Sequence, residues 1–130
     1  MTIHPSTADD FVASLNALQD IAHANSRAKG FWSLIDELKT HPRFAEIEVM
    51  WKLSRHDLIH SEVSEATEGV RKALPDDHLP HRSMEVTELA DSVIRILDYA
   101  GAYNLPLAEA ILEKMAYNAG RPFMHGNKLA

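Results

Sequence analysis

The chain has no cysteine, which excludes disulfides, thiolate catalysis and cysteine-bound zinc. Glycine is scarce, five in 130 residues, and the β-branched residues do not alternate as strands require. No apolar run approaches the roughly 18 residues of a membrane span. The first residues, MTIHPSTADDFVASL, lack the basic region and apolar core of a secretory signal. Positive charge is not in excess either: 13 Lys and Arg against 19 Asp and Glu leave a formal net charge of −6. A general nucleic-acid binder shows a basic face, so that class is disfavoured. Bound cations can still bridge an acidic site to phosphates. These absences point to a cytoplasmic enzyme or binding protein with neither nucleic acid nor membrane as partner.

What is present is ordinary for a globular chain: 45% hydrophobic and 25% charged residues. The length fits a single domain over residues 1–130. A helical protein of this size buries only a small core and often completes it with a second copy. The pattern predicts an all-α bundle of about four to five helices. The first begins near Ser6 or Thr7, with Asp9 and Asp10 at the positive end of its dipole. It carries Phe11, Leu15, Leu18 and Ile21 or Ala22 on one face and ends between Asn25 and Ala28. A short helix is predicted from Trp32 to Lys39, then a long one from Arg43 to Ala73, stopping before Pro75. The stretch PDDHLPHR reads as a loop. A fourth helix runs from Met84 to Tyr103, with Val86, Leu89, Val93, Leu97 and Ala100 spaced by threes and fours. A fifth opens at Leu105-Pro106, turns Ile111 and Met115 inward and closes near Gly120. The tail over 122–130 shows no clear pattern and reads as flexible, with Gly126 and Lys128 the residues that a lid over phosphates would use.

The chemistry-bearing feature is a pair of acidic motifs. Glu62-x-x-Glu65 lies on the third helix and Glu88-x-x-Asp91 on the fourth. Residues three apart share a helix face, with Cβ atoms roughly 5–6 Å apart, so each pair can hold a cation between two carboxylates. Four carboxylates from two helices would suit Mg2+ or Mn2+ better than Zn2+. The plain alternative is solvated charge. Glu62 and Glu65 continue the stripe of Ile47, Trp51 and Leu58, beside the apolar strip Ile59, Val63, Ala66 and Val70, where carboxylates need a compensating partner. Glu88, Asp91, Arg95 and Asp98 lie together but nearly opposite Leu89 and Val93, a face that is wet unless it looks across at the third helix.

A third constellation is Lys114, Asn118 and Arg121, spaced four and three on one face, which suits a phosphate chain. Its plain alternative is a helix end whose basic residues complement the dipole. The histidine pairs His78 and His81, and His56 and His60, lack a third ligand at suitable spacing. Asp57-x-x-His60 is the nearest imitation of the Glu-x-x-His pairs of di-iron and di-manganese bundles, and the repeat those require is missing.

Taken together, EVSE, ELAD and EKMAYNAGR resemble the signature of the MazG-like all-α nucleotide pyrophosphohydrolases, over about residues 50–121. The flanks LIHSEVSEA and ELADSVIRILDYAGAY extend the likeness. The resemblance implies a helical bundle completed as a homodimer or homotetramer. It implies Mg2+-dependent cleavage of a nucleoside triphosphate between the α and β phosphates, giving the monophosphate and pyrophosphate. By position, Glu62, Glu65, Glu88 and Asp91 would hold metal, and Lys114, Asn118 and Arg121 would hold phosphates. Such chemistry asks for positioning and charge stabilisation more than for a covalent nucleophile. Glu65, with Glu62 beside it, would take the proton of the attacking water, while Ser61 and Ser64 read as surface or supporting residues. The base would meet Asn25, Phe31, Trp32 and Trp51, with plain core the alternative for Trp51. The PDDHLPHR loop lengthens the gap between the acidic helices relative to a minimal relative. A non-catalytic nucleotide-binding or helical interaction module with a degenerate site is the competing reading.

Overall fold

The computed structural model describes residues 2–127, which form five helices and a last helical turn. The all-α bundle expected from the sequence is what the chain builds.

The helices are α1 (Pro5–Ala28), α2 (Ser33–Glu37), α3 (Phe44–Lys72), α4 (Met84–Ala102) and α5 (Leu107–Ala119). α1 starts ahead of Ser6 because Pro5 occupies its first turn, where the missing N–H costs nothing. The His4 ring accepts a hydrogen bond from the Ser6 backbone N–H. α2 is shorter than its pattern suggested: Leu38–Thr40 tighten into a 3-10 turn before His41-Pro42. α3 stops at Ala73, which takes the left-handed conformation (φ 50°) that usually closes a helix. Ser83 caps α4, its hydroxyl accepting from the Val86 N–H at 3.3 Å. The tail departs from expectation, since Met124–Asn127 coil into a helical turn. Lys128 lies outside the described residues.

The loop between α3 and α4 is folded around Asp76. Its carboxylate accepts from the Thr87 hydroxyl at 2.7 Å and from the N–H groups of His78 at 2.9 Å and Leu79 at 2.6 Å. These bonds hold its pKa below the usual range, with the Thr87 bond the leading cause. The loop fixes α4 against α3, and α4 also packs along α1; α5 rests on α1.

The core is small. Trp32, Ile35 and Leu97 are its large members, with Ala66, Ala100 and Ala108 filling the close approaches between helices. Along the α4 stripe only Leu97 and Ala100 are buried. Val86, Leu89 and Val93 remain 47%, 45% and 51% exposed. The polar face of α4 is the one turned toward α3.

Candidate metal and nucleotide site

One turn of α3 and one of α4 bring Glu62, Glu65 and Glu88 together, each offering a carboxylate oxygen within 4.8 Å of the others. Glu62 is buried, Glu88 half-buried and Glu65 exposed. Three carboxylates this close repel one another unless a proton or a cation intervenes. Glu88 records that pressure. Burial, then a hydrogen bond with Glu62 and the charges of Glu65, Glu62 and Asp91, push its pKa up to about 7.

Asp91 stands at the rim, one turn along α4. It is exposed, yet the neighbouring protein desolvates it enough to raise its pKa. Glu62 adds to the rise and Arg95 opposes it. It falls outside the three-glutamate cluster but lines the same cavity as Glu62. The α4 face that periodicity left open is therefore turned to α3.

Arg95 crosses to α3 and donates from Nε to Glu62 Oε1 at 2.5 Å. This guanidinium supplies the positive partner that a buried Glu62 requires. A cation entering the cluster would compete with it for the same carboxylate.

The cavity beside the cluster has a volume of about 590 Å3, within the range typical of small-molecule sites. Glu62, Asp91 and Arg95 line it together with Asn25, Phe31 and Trp32, whereas Glu65 and Glu88 do not. Trp32 is held by Asp98, whose oxygens lie 2.9 and 3.2 Å from the indole N–H. Asp98 also accepts from the Ser26 hydroxyl at 2.6 Å and from His23 Nδ1 at 2.8 Å. Arg27 Nε donates to His23 Nε2 at 2.8 Å. Arginine only donates, so the His23 proton that meets Asp98 resides on Nδ1. α1 and α4 are thus clamped across the wall that carries Trp32.

The remaining sequence candidates divide. Asn25 and Trp32 line the cavity, whereas Trp51 stands behind it, edge-on to Trp32 with ring centroids 5.7 Å apart. The Arg55 guanidinium covers its ring at 4.0 Å. Lys114 and Arg121 both approach Tyr117, at 4.8 and 5.9 Å from its ring centroid. Neither they nor Asn118 line the cavity of a single chain.

Asp98, Arg95 and Arg55 are the residues whose roles the motif reading passed over. The signal was available as spacing: Asp98 follows Asp91 by seven residues and Arg55 precedes Glu62 by seven, so each continues an acidic motif two turns along its face. Among the described residues no helix is long and apolar enough to cross a membrane. Comparison with family models, curated proteins and solved structures found no match to the chain.

Proposed function

We propose that the chain is a Mg2+-dependent nucleoside triphosphate pyrophosphohydrolase, cleaving (d)NTP between the α and β phosphates to (d)NMP and pyrophosphate. The observation that carries this reading is the cluster of Glu62, Glu65 and Glu88, joined through Glu62 to a cavity large enough for a small molecule. An all-oxygen set drawn from two helices fits a hard divalent cation, Mg2+ with Mn2+ as the substitute. When bound, such a cation neutralises phosphate charge and orients a water.

The protein's own groups have distinct parts in this scheme. Glu62 and Glu88 would hold the cation from α3 and α4, with Asp91 as a further carboxylate on α4. Glu65, the exposed member, would take the proton of the attacking water. Trp32 and Asn25 border the nucleoside, with Trp32 fixed by Asp98. Lys114, Asn118 and Arg121 would reach phosphates from a second copy, which makes a homodimer or homotetramer part of the proposal.

The test is product analysis with a panel of nucleoside triphosphates, with and without Mg2+. Monophosphate and pyrophosphate appearing only with metal is the expected result; release of inorganic phosphate would overturn it. Glu65→Gln and Asp91→Asn should each lower turnover by at least about 100-fold while leaving the helical circular dichroism unchanged. Full activity in both variants would remove the proposed metal site.

The Arg95–Glu62 pair favours one second reading. An internal cation already satisfies Glu62, as it would in a module that binds nucleotide without cleaving it. Nucleotide binding with no product from any substrate would decide for that reading.

A further inference from the structure

The cavity wall holds two charged groups, Lys29 and Arg55, for which neither the acidic cluster nor the Trp32 clamp has a use; Lys29 is exposed to solvent, whereas Arg55 is partly buried. Arg55 lies on α3 seven residues before Glu62, about 10 Å along the helix axis. It lines the cavity together with Asn25, Phe31 and Trp32. Its guanidinium is laid over Trp51, and Trp51 is braced against Trp32, so its direction is set by packing. Its Nε is buried with no hydrogen-bond partner. No carboxylate pairs with it among the described residues, whereas Arg95 beside it is paired with Glu62. Burial, and then the charge of Arg95, lower the Arg55 pKa, yet a guanidinium stays charged in proteins. An unpaired, partly buried cation is costly unless acceptors arrive from outside.

The nearby Asp98 eases this charge but makes no hydrogen bond to it. Asp98 is saturated by His23, Ser26 and Trp32. Arg55 stands two helical turns before Glu62 along α3, toward the end of the ligand away from phosphates held at the glutamate cluster. On the reading above, with phosphates at Glu62, Glu65 and Glu88, what reaches Arg55 is the base.

We propose that Arg55 is the specificity-determining residue of this cavity and selects a base whose edge carries oxo acceptors, above all a 6-oxopurine, over its amino-bearing counterpart. This rests on the nucleotide reading. A guanidinium has five donors and no acceptor. Its fork matches O6 and N7 of a 6-oxopurine, the pairing arginine makes with guanine. Adenine turns an amino donor toward the same fork and leaves buried donors unmet, which is the situation in which sites reject a ligand strongly.

Binding tests this without requiring turnover. The full chain is titrated with inosine and adenosine 5′-monophosphate, with the fluorescence of Trp32 and Trp51 as the signal. Inosine monophosphate should bind roughly tenfold or more tightly. Arg55→Gln, which offers both donor and acceptor, and Arg55→Met, which offers neither, should bring the two ligands to within about twofold. Whichever variant keeps the native circular dichroism decides. Equal binding, preference for adenosine monophosphate, binding of neither, or a preference that survives in the folded variant would each overturn the proposal. Triphosphate hydrolysis is followed separately. Inosine preference without hydrolysis would sink the pyrophosphohydrolase activity and leave the Arg55 assignment standing.

Discussion

Glu88 is held between two demands: burial and three neighbouring carboxylates favour its protonated form, whereas cation binding needs it ionised. Its pKa stands at about 7 in the folded chain against an ordinary 4.5. Between those values the native state keeps a proton that the unfolded chain has released. The stabilisation is complete below the unfolded value and is lost as pH rises through the folded one. Asp91, also raised, acts with the same sign. Asp76, whose pKa is lowered, acts oppositely: its contribution is present above the ordinary carboxylate value and disappears as pH falls through the folded one. In chelator, the Tm should therefore drop by a few degrees between pH 5 and pH 7.5. Mg2+ should restore much of the loss at pH 7.5, because the cation takes the place of the missing proton. Glu88→Gln should flatten the slope and blunt the response to Mg2+. An identical slope in that variant, measured by thermal denaturation, would mean that the cluster does not govern this pH dependence.

Among the helices, the contact between α1 and α4 steadies the Trp32 wall of the site. A Cβ on Gly101 would stand 2.7 Å from the His23 Cβ and 3.2 Å from the Gln19 carbonyl oxygen. Neither atom can swing aside, so the two helices would have to part. Gly101→Ala should cost about 1–3 kcal/mol, read by urea denaturation, and weaken nucleotide binding by loosening the His23–Asp98 bond that steadies the Trp32 wall. Gly120→Ala is the control, because its nearest neighbour would be the Tyr117 carbonyl oxygen at an ordinary 3.6 Å. Equal stability of the two variants would contradict the close approach. The same helices explain how much could be read from sequence. Punctuation was legible: Pro75, Pro106 and the run before Met84 fix element ends by local chemistry. The acidic pair on α3 was legible too, because Glu62 sits in an apolar stripe. The face of α4 was not. Val86, Leu89 and Val93 follow the helical period as well as Leu97 and Ala100 do, and only tertiary packing separates the exposed three from the buried two. For Asp98 and Arg55 the spacing showed a shared face but not a role: a residue that anchors a tryptophan or lies over one has no motif of its own.

At the scale of the whole molecule, α4 is turned with its polar side inward and part of its apolar side outward. Val86, Leu89 and Val93 on α4, and Val63 and Val70 on α3, at 45% and 57% exposure, are left uncovered by the chain's own helices. Apolar surface removed from water yields roughly 25 cal/mol per Å2, so these exposed side chains favour a cover. A second copy is the simplest cover, since a two-fold contact places each patch against its own equivalent. It would also account for Lys114, Asn118 and Arg121, which line no part of the cavity within one chain. Light scattering should therefore give a dimer or tetramer mass for the wild type. Leu89→Glu puts a charge into the patch without touching a buried side chain, and should shift the mass to that of one chain. If phosphates are held across the subunit boundary, the same variant should lose hydrolysis while its circular dichroism persists. Complementation separates this from local damage: Glu65→Gln and Lys114→Ala, each inactive alone, should regain activity when mixed, because some of the dimers formed contain one intact site. A wild type of single-chain mass, or mixtures as inactive as their parents, would confine the site to one chain and leave Lys114, Asn118 and Arg121 as ordinary surface.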